Sequence, residues 1–160
     1  MSFFKKKNSV NQLDPFISVN CDIKAEISNR VELYTQNVQF AQDSNSDSIA
    51  LLGRAYESGF NDSKKGMSFV FSRNIQSGTY TPGATFPFEE FYYFESASND
   101  IASTYYTYKP ESGSVTVEVV ANSSEQLRYI LNFDFKGKDN RTETLRIVGK
   151  ATFNVFMRSR

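Results

Sequence analysis

The chain has 160 residues with 18 basic and 18 acidic side chains, so one domain can bury a core and no net field favours nucleic acid or an acidic membrane. Its single cysteine excludes an intramolecular disulfide and a thiolate-rich metal site. The absence of histidine removes the usual general base, the Ser-His and Cys-His nucleophile pairs and the commonest transition-metal ligand, so we expect no enzyme activity.

The N-terminal residues 1–15 are expected to form a flexible or edge-docked arm before a single β-domain at residues 16–160. Three lysines, Lys5 to Lys7, are not followed by the apolar run of an export signal. No window approaches the roughly 18 apolar residues of a membrane span. We therefore expect no transmembrane segment, and a protein that is cytoplasmic or released without a cleaved leader.

The first predicted strand runs from Ile17 to Ile27, where apolar and polar residues alternate as in a half-buried strand. Cys21 falls on its apolar face, which predicts a core thiol rather than a reactive one. A second strand is expected from Val31 to Phe40. Its pattern slips by one residue between Leu33 and Val38, which indicates a bulge or a break.

The polar loop at residues 41–48 contains Asp43, Asn45 and Asp47, the spacing that opens a calcium-binding loop. The rest of that motif is absent, because Ser48 and Arg54 stand where it requires glycine and glutamate. Asp, Asn and Ser are also common in turns for backbone reasons alone. We therefore expect no bound metal here, and the chain suggests no cofactor.

The middle of the chain predicts a central strand near residues 49–56, a loop at Gly59–Gly66 and a further strand from Met67. Residues 84–108 are rich in Phe and Tyr, and short strands are expected at 90–95 and 103–108. The acid pair Glu89–Glu90 suggests a glycosidase, but neighbouring strand residues point to opposite faces. A surface role for the pair is the preferred interpretation.

The last third of the chain carries the clearest pattern, with apolar residues at every second position from Tyr129 to Phe135 and from Leu145 to Met157. Gly149 keeps the phase of the second run, so we predict one strand through it, with the glycine at a bulge or beneath an aromatic ring. The whole pattern predicts an all-β, single-domain, mostly antiparallel sandwich of about eight to ten strands with little or no helix.

Several short motifs follow one another in the chain: Ser77–Tyr80, Ser112–Val117, Leu131–Phe135, Gly149 and Phe153–Val155. Their order is similar to that of small bacterial domains of unknown function, many of them predicted lipoproteins of the Bacteroidetes, with the pattern G-T-Y, S-G-x-V-T-I, G-x-F-x-F and G-x-F-x-V. The resemblance covers about residues 50–156 and implies an antiparallel sandwich. We expect the chain to differ from these domains in having no leader and no lipobox. The family has no accepted activity, so no catalytic residue is implied.

Neighbouring tyrosines are the candidate ligand-binding residues, because a ring offers a flat apolar face and a hydroxyl at little entropic cost. One member of each adjacent pair is expected to face out. The candidates are Tyr92, Tyr93, Tyr105, Tyr106 and Tyr108. They favour a non-enzymatic binding module that recognises a protein or a glycan. The alternatives are a released, toxin-like effector that acts on a membrane or receptor and, least favoured, a histidine-free hydrolase.

Overall fold

A computed structural model of the protein describes residues 17–56, 64–98, 103–139 and 141–158. The arm expected at residues 1–15 lies outside this part, as do residues 59–63 of the loop expected at 59–66; Lys64 to Gly66 of that loop belong to a strand. The described residues form ten strands and no helix. The strands are β1 (Ile17–Ile27), β2 (Leu33–Thr35), β3 (Val38–Gln42), β4 (Ser48–Tyr56), β5 (Lys64–Ser72), β6 (Gly78–Tyr80), β7 (Phe88–Ser98), β8 (Ser103–Asn122), β9 (Gln126–Lys138) and β10 (Thr144–Met157).

The strands form one antiparallel sheet in the order β2-β1-β10-β9-β8-β7-β5-β4-β3, with β6 paired to β8 beside this path. β2 and β3 stand at the two ends of this order, yet only Gln36 and Asn37 separate them in the chain. The sheet is therefore nearly closed into a barrel. The prediction of an antiparallel all-β fold with eight to ten strands is confirmed. The two separate sheets of a sandwich are replaced by one sheet, because its two ends belong to a single interrupted strand.

Hydrogen bonds at this interruption join the two ends of the sheet. The Thr35 hydroxyl donates to the carbonyl oxygen of Arg54 in β4 at 2.6 Å, and the Asn37 amide donates to the same hydroxyl at 3.0 Å. The amide of Arg54 donates to the carbonyl oxygen of Asn37 at 3.0 Å. The slip predicted between Leu33 and Val38 is confirmed as a break, and it lets one strand pair with β1 before it and with β4 after it.

Strand β8 turns the opposite corner of the sheet. Its residues up to Tyr108 pair with β7, and those from Lys109 onwards pair with β9. The register shifts between Pro110 and Ser112, and Gly113 has a positive φ of 109°. The short strand expected at 103–108 is therefore the first part of one long strand that continues to Asn122. The bulge accommodates the missing N–H of Pro110 and bends the strand without ending it.

The inner face of the closed sheet is packed with aromatic rings. The Phe69 and Phe153 ring centroids lie 5.2 Å apart, and Phe71 and Tyr129 also lie 5.2 Å apart, both pairs edge to face. Such contacts add to the free energy gained by burying the rings. The predicted core alternation of β9 is confirmed, because Tyr129, Leu131, Phe133 and Phe135 are buried and the residues between them are not.

Cys21 is buried in this core with 5% of its surface exposed. Burial raises the pKa of its thiol to about 11, and a hydrogen bond involving Asn154 opposes this only in part. The thiol therefore stays protonated at neutral pH and is a poor nucleophile. The prediction of a core thiol is confirmed.

Gly149 lies inside β10, which pairs without a register shift with β1 and β9, where Gly149 is opposite Ala25 and Phe133. The prediction of one continuous strand is confirmed, and the suggestion of a bulge at this glycine is wrong. A Cβ atom at position 149 would overlap the carbonyl oxygen of Lys24 and lie 2.7 Å from the Ala25 Cβ. The glycine is needed because the backbone of β1 approaches it too closely for any side chain.

Gly149→Ala is expected to destabilise the protein by about 1–3 kcal/mol, because the added methyl group must push two paired strands apart. The matched control is Gly78→Ala, whose Cβ would meet the Tyr80 hydroxyl oxygen at an ordinary 3.5 Å and should change stability by no more than about 0.5 kcal/mol. Urea unfolding of the two variants measures both values. Equal stability of Gly149→Ala and the parent would contradict the close approach.

Candidate functional site

The five candidate tyrosines divide between the core and the surface. Tyr93 and Tyr108 are fully buried and pair across β7 and β8 with ring centroids 5.9 Å apart. They cannot belong to an exposed binding surface, because both follow the inward phase of their strands. Tyr106 is partly buried against the core, and the Arg141 guanidinium lies 3.4 Å from its ring centroid. Tyr92 is half-buried, and Tyr105 is 54% exposed.

Tyr92 and Tyr105 lie on the outer face of the sheet with Phe94 between them. The Phe94 ring centroid lies 6.4 Å from that of Tyr92 and 5.7 Å from that of Tyr105. Burial raises the pKa of the Tyr105 phenol, and its hydrogen bond with Tyr92 adds to the shift. We call these three residues the outer aromatic cluster. The expectation of one outward tyrosine in each pair is confirmed for Tyr92 and Tyr105.

A cleft opens beside this cluster where β7 and β8 separate. The two strands pair only from Tyr93 to Ser98 of β7, so the stretch from Phe88 to Tyr92 diverges from β8. The cleft encloses about 470 Å³, a volume typical of small-ligand sites. We call it the β7–β8 cleft, and its walls include Phe86, Glu89, Glu90, Tyr92, Thr107, Lys109 and Pro110.

A bulge in β7 places both carboxylates of the acid pair on the outer surface. Val70 of β5 pairs with Glu90, but the next residue, Phe71, pairs with Phe88, so Glu89 is the extra residue. Glu89 accepts a hydrogen bond from the Ser48 hydroxyl at 2.5 Å. Glu90 accepts one from the Ser68 hydroxyl at 3.2 Å. The two glutamates were expected on opposite faces, and this prediction is wrong because the bulge breaks the alternation.

The sequence carries a signal for this bulge. Phe88 and Phe91 both point into the core, although they are three positions apart. An alternating strand would place such residues on opposite faces, so the two intervening glutamates require an irregular backbone. Glu89, Glu90 and Lys109 are charged residues of the cleft that are not among the candidate binding residues predicted from the sequence. Their selection depends on the register between strands that are distant in the chain.

A second cluster of charged groups lies at one end of the barrel, and we call it the end network. The Arg30 guanidinium donates to Glu95 at 2.6 Å and to Glu143 at 2.8 Å. The Tyr93 hydroxyl donates to Glu95 at 2.8 Å, and the Tyr108 hydroxyl donates to Glu143 at 3.0 Å. The hydrogen bond from Tyr108 lowers the pKa of Glu143, and Arg30 adds to this against the opposing effect of burial.

Asp139 anchors the segment between β9 and β10 within the end network. Its side chain is fully buried, and its carboxylate accepts the backbone amides of Arg141, Thr142 and Glu143 at 2.9–3.1 Å. Burial alone would raise the pKa of Asp139, but these amides and the Arg141 guanidinium at 2.6 Å outweigh it and lower the pKa to about 2. The charged groups of the end network are therefore satisfied by one another, which is typical of a structural role.

The calcium-like spacing at residues 43–47 serves the turn between β3 and β4. The Asp43 carboxylate accepts the backbone amide of Asn45 at 2.9 Å and the Ser46 hydroxyl at 2.8 Å. Asp47 accepts the side-chain amide of Asn74 at 3.1 Å. The two bonds of Asp43 are the local bonds that Asp forms in turns, as the backbone interpretation of this loop predicted, whereas Asp47 ties the turn to a distant segment.

Comparisons of the chain with protein-family models, with curated proteins and with solved structures found no match. The resemblance to the small Bacteroidetes domains therefore stays a prediction. Among the residues that the structure describes, no helix is long and apolar enough to cross a membrane.

The end network predicts an acid-sensitive fold. Because the folded pKa of Asp139 lies near 2, below its ordinary value of 3.8, its charge stabilises the native state above about pH 4, and this contribution is lost as the pH falls from 3.8 to 2. In Asp139→Asn the loss of stability between pH 4 and 2 should be shallower than in the parent. Urea unfolding at several pH values measures the slope.

The control for this experiment is Glu118→Gln, an exposed residue of β8 outside the end network. It should keep the slope of the parent protein. If stability falls between pH 4 and 2 as steeply in Asp139→Asn as in the parent protein, the buried carboxylate is not a source of the acid sensitivity.

Proposed function

We propose that this protein is a non-enzymatic binding module that recognises a protein or a glycan at the β7–β8 cleft through its exposed aromatic residues. The observation that carries the proposal is the position of Tyr92 in the wall of the cleft, joined by its hydrogen bond to Tyr105 beside it. Both residues came from the sequence as candidates, and the structure adds a concave surface next to them.

The chemistry of the cleft suits a ligand with flat apolar faces and polar edges. The Tyr92 ring and Phe86 supply apolar surface, and Glu89, Glu90 and Lys109 supply charged acceptors and a donor. Ligand sites combine an apolar lining with a few polar groups that fix orientation. A ligand would bind at this outer cleft, because the inner face of the sheet is filled by packed phenylalanine and tyrosine rings.

The proposal predicts that binding depends on the outer aromatic cluster. A glycan array and a pull-down from the native host would identify ligands, and Tyr105→Ala should weaken a cleft ligand by at least about tenfold, because Tyr105 lies beside the cleft and its hydrogen bond holds Tyr92 in the cleft wall. The control is Tyr34→Ala in β2, because Tyr34 is 53% exposed and Tyr105 is 54% exposed, but Tyr34 lies far along the sheet order. Equal losses in both variants would contradict a site at the cleft.

A histidine-free hydrolase is the second candidate function, and one observation favours it. The bulge brings the carboxylates of Glu89 and Glu90 to the same cleft, and paired carboxylates are the usual catalytic groups of glycosidases. Each carboxylate accepts a serine hydroxyl, from Ser48 and Ser68 respectively. The pair would have to act on opposite sides of one glycosidic bond.

This second candidate is tested with a panel of aryl glycosides. The binding proposal predicts no turnover above that of the double variant Glu89→Gln/Glu90→Gln. If the parent protein turns over a glycoside, and each single variant abolishes turnover but still binds, the protein is an enzyme and not a binding module. The effector alternative stays a prediction, and leakage of dye from liposomes would test it.

A further inference from the structure

We infer that the β7–β8 cleft takes an extended peptide with basic side chains, which pairs as an added strand with the open edge of β7. The inference rests on the proposed function and names the class of ligand for the same cleft. Three features of the cleft carry it: an open strand edge, the length of that edge, and the charge beside it.

The open edge is the stretch of β7 from Phe88 to Tyr92. On one side it pairs with β5. On the other side, in the described part of the chain, β8 pairs with β7 only from Tyr93 onwards. Beyond that point β8 pairs with β9, and from Val115 also with β6. An unpaired edge presents backbone donors and acceptors that another extended chain can match.

The dimensions of the edge suit a short peptide. Five residues of strand span about 16 Å at roughly 3.3 Å each, which matches a peptide of about five residues. Across the cleft, Pro110 has no N–H to donate, so β7 is the edge with the fuller set of backbone groups. The regular spacing of these groups fits a polypeptide backbone better than a sugar ring.

The side chains beside the edge select for positive charge. The bulge turns Glu89 and Glu90 outward together, and Lys109 opposes them on the other wall, so the cleft walls carry more negative than positive groups. Every second side chain of an added strand would face this outer surface. A lysine or arginine there would meet the two carboxylates and could lie over the ring of Tyr92.

The experiment uses three blocked heptapeptides with the full-length, 15N-labelled protein. The first alternates lysine and valine, the second alternates glutamate and valine, and the third is the first with N-methylated valines. The lysine peptide should shift the amide resonances of residues 88–92. The glutamate peptide should shift none of them, and the N-methylated peptide should bind at least tenfold more weakly, because it lacks the amides that pair with the edge.

The carboxylates are tested by Glu89→Gln/Glu90→Gln, which should weaken the lysine peptide at least fivefold. The matched control is Glu118→Gln/Glu125→Gln, which removes two exposed carboxylates elsewhere on the surface and should leave the affinity unchanged. Urea unfolding of both double variants checks that the fold is kept. If both double variants lose affinity for the lysine peptide equally, the peptide is attracted by overall charge and the inference is wrong.

The other outcomes separate the inference from the proposed function. If a glycan or protein ligand depends on Tyr105 and residues 88–92 do not respond to the lysine peptide, the inference of a peptide ligand is wrong. The proposed function as a binding module then stands. If the N-methylated peptide binds as tightly as the unmodified lysine peptide, the peptide does not pair with the edge as an added strand. If the amide resonances of residues 88–92 shift with protein concentration alone, the edge pairs with a second copy of this chain and the inference of a peptide ligand is wrong. If no ligand depends on Tyr105 and no peptide binds, both the inference and the proposed function are wrong. The bulge and the charges would then only protect an exposed edge.

Discussion

The closure of the sheet by one interrupted strand is the constraint on which the rest of the structure depends. β2 pairs with β1 and β3 pairs with β4, so the segment between Thr35 and Asn37 must link the two ends of a nine-strand order. The hydrogen bonds between this segment and Arg54 join these two ends. Closure also creates an interior, and the aromatic side chains that alternate along β5, β9 and β10 fill it.

The same closure explains why a cleft forms at the opposite corner. A strand can leave one neighbour for another only by bending, and β8 bends at Pro110 and Gly113. Beyond the bend β8 pairs with β9, so the stretch of β7 from Phe88 to Tyr92 is not paired with β8. The first corner is sealed by backbone and side-chain hydrogen bonds, whereas the second opens into a space of about 470 Å³ lined by charged and aromatic groups. The candidate site is thus a consequence of how the sheet turns.

Local patterns in the sequence predicted the strands well, and failed where the outcome depended on pairing between distant residues. The alternation from Leu145 to Met157 specified the buried face of β10, because side-chain direction in a strand is a local property. The bulge at Glu89 was missed, although the spacing of Phe88 and Phe91 indicated it. The strand expected at 103–108 is too short, because only the register with β9 shows that it continues through Pro110 to Asn122. The sequence did not indicate which candidate tyrosines face the core, and Tyr93 and Tyr108 do so because they follow the inward phase of β7 and β8.

The two groups of charged residues in this protein differ in what neutralises them. In the end network, Arg30 and Arg141 contact Glu95, Asp139 and Glu143 directly, so each of these three carboxylates has a guanidinium partner within the fold. In the cleft, Glu89 and Glu90 accept hydrogen bonds from the neutral hydroxyls of Ser48 and Ser68. A neutral donor orients a carboxylate but does not cancel its charge, whereas a guanidinium does both. The first arrangement contributes to stability, while the second keeps oriented negative charge on the surface, where a ligand can meet it, which is why the binding proposal rests on the cleft and not on the larger network.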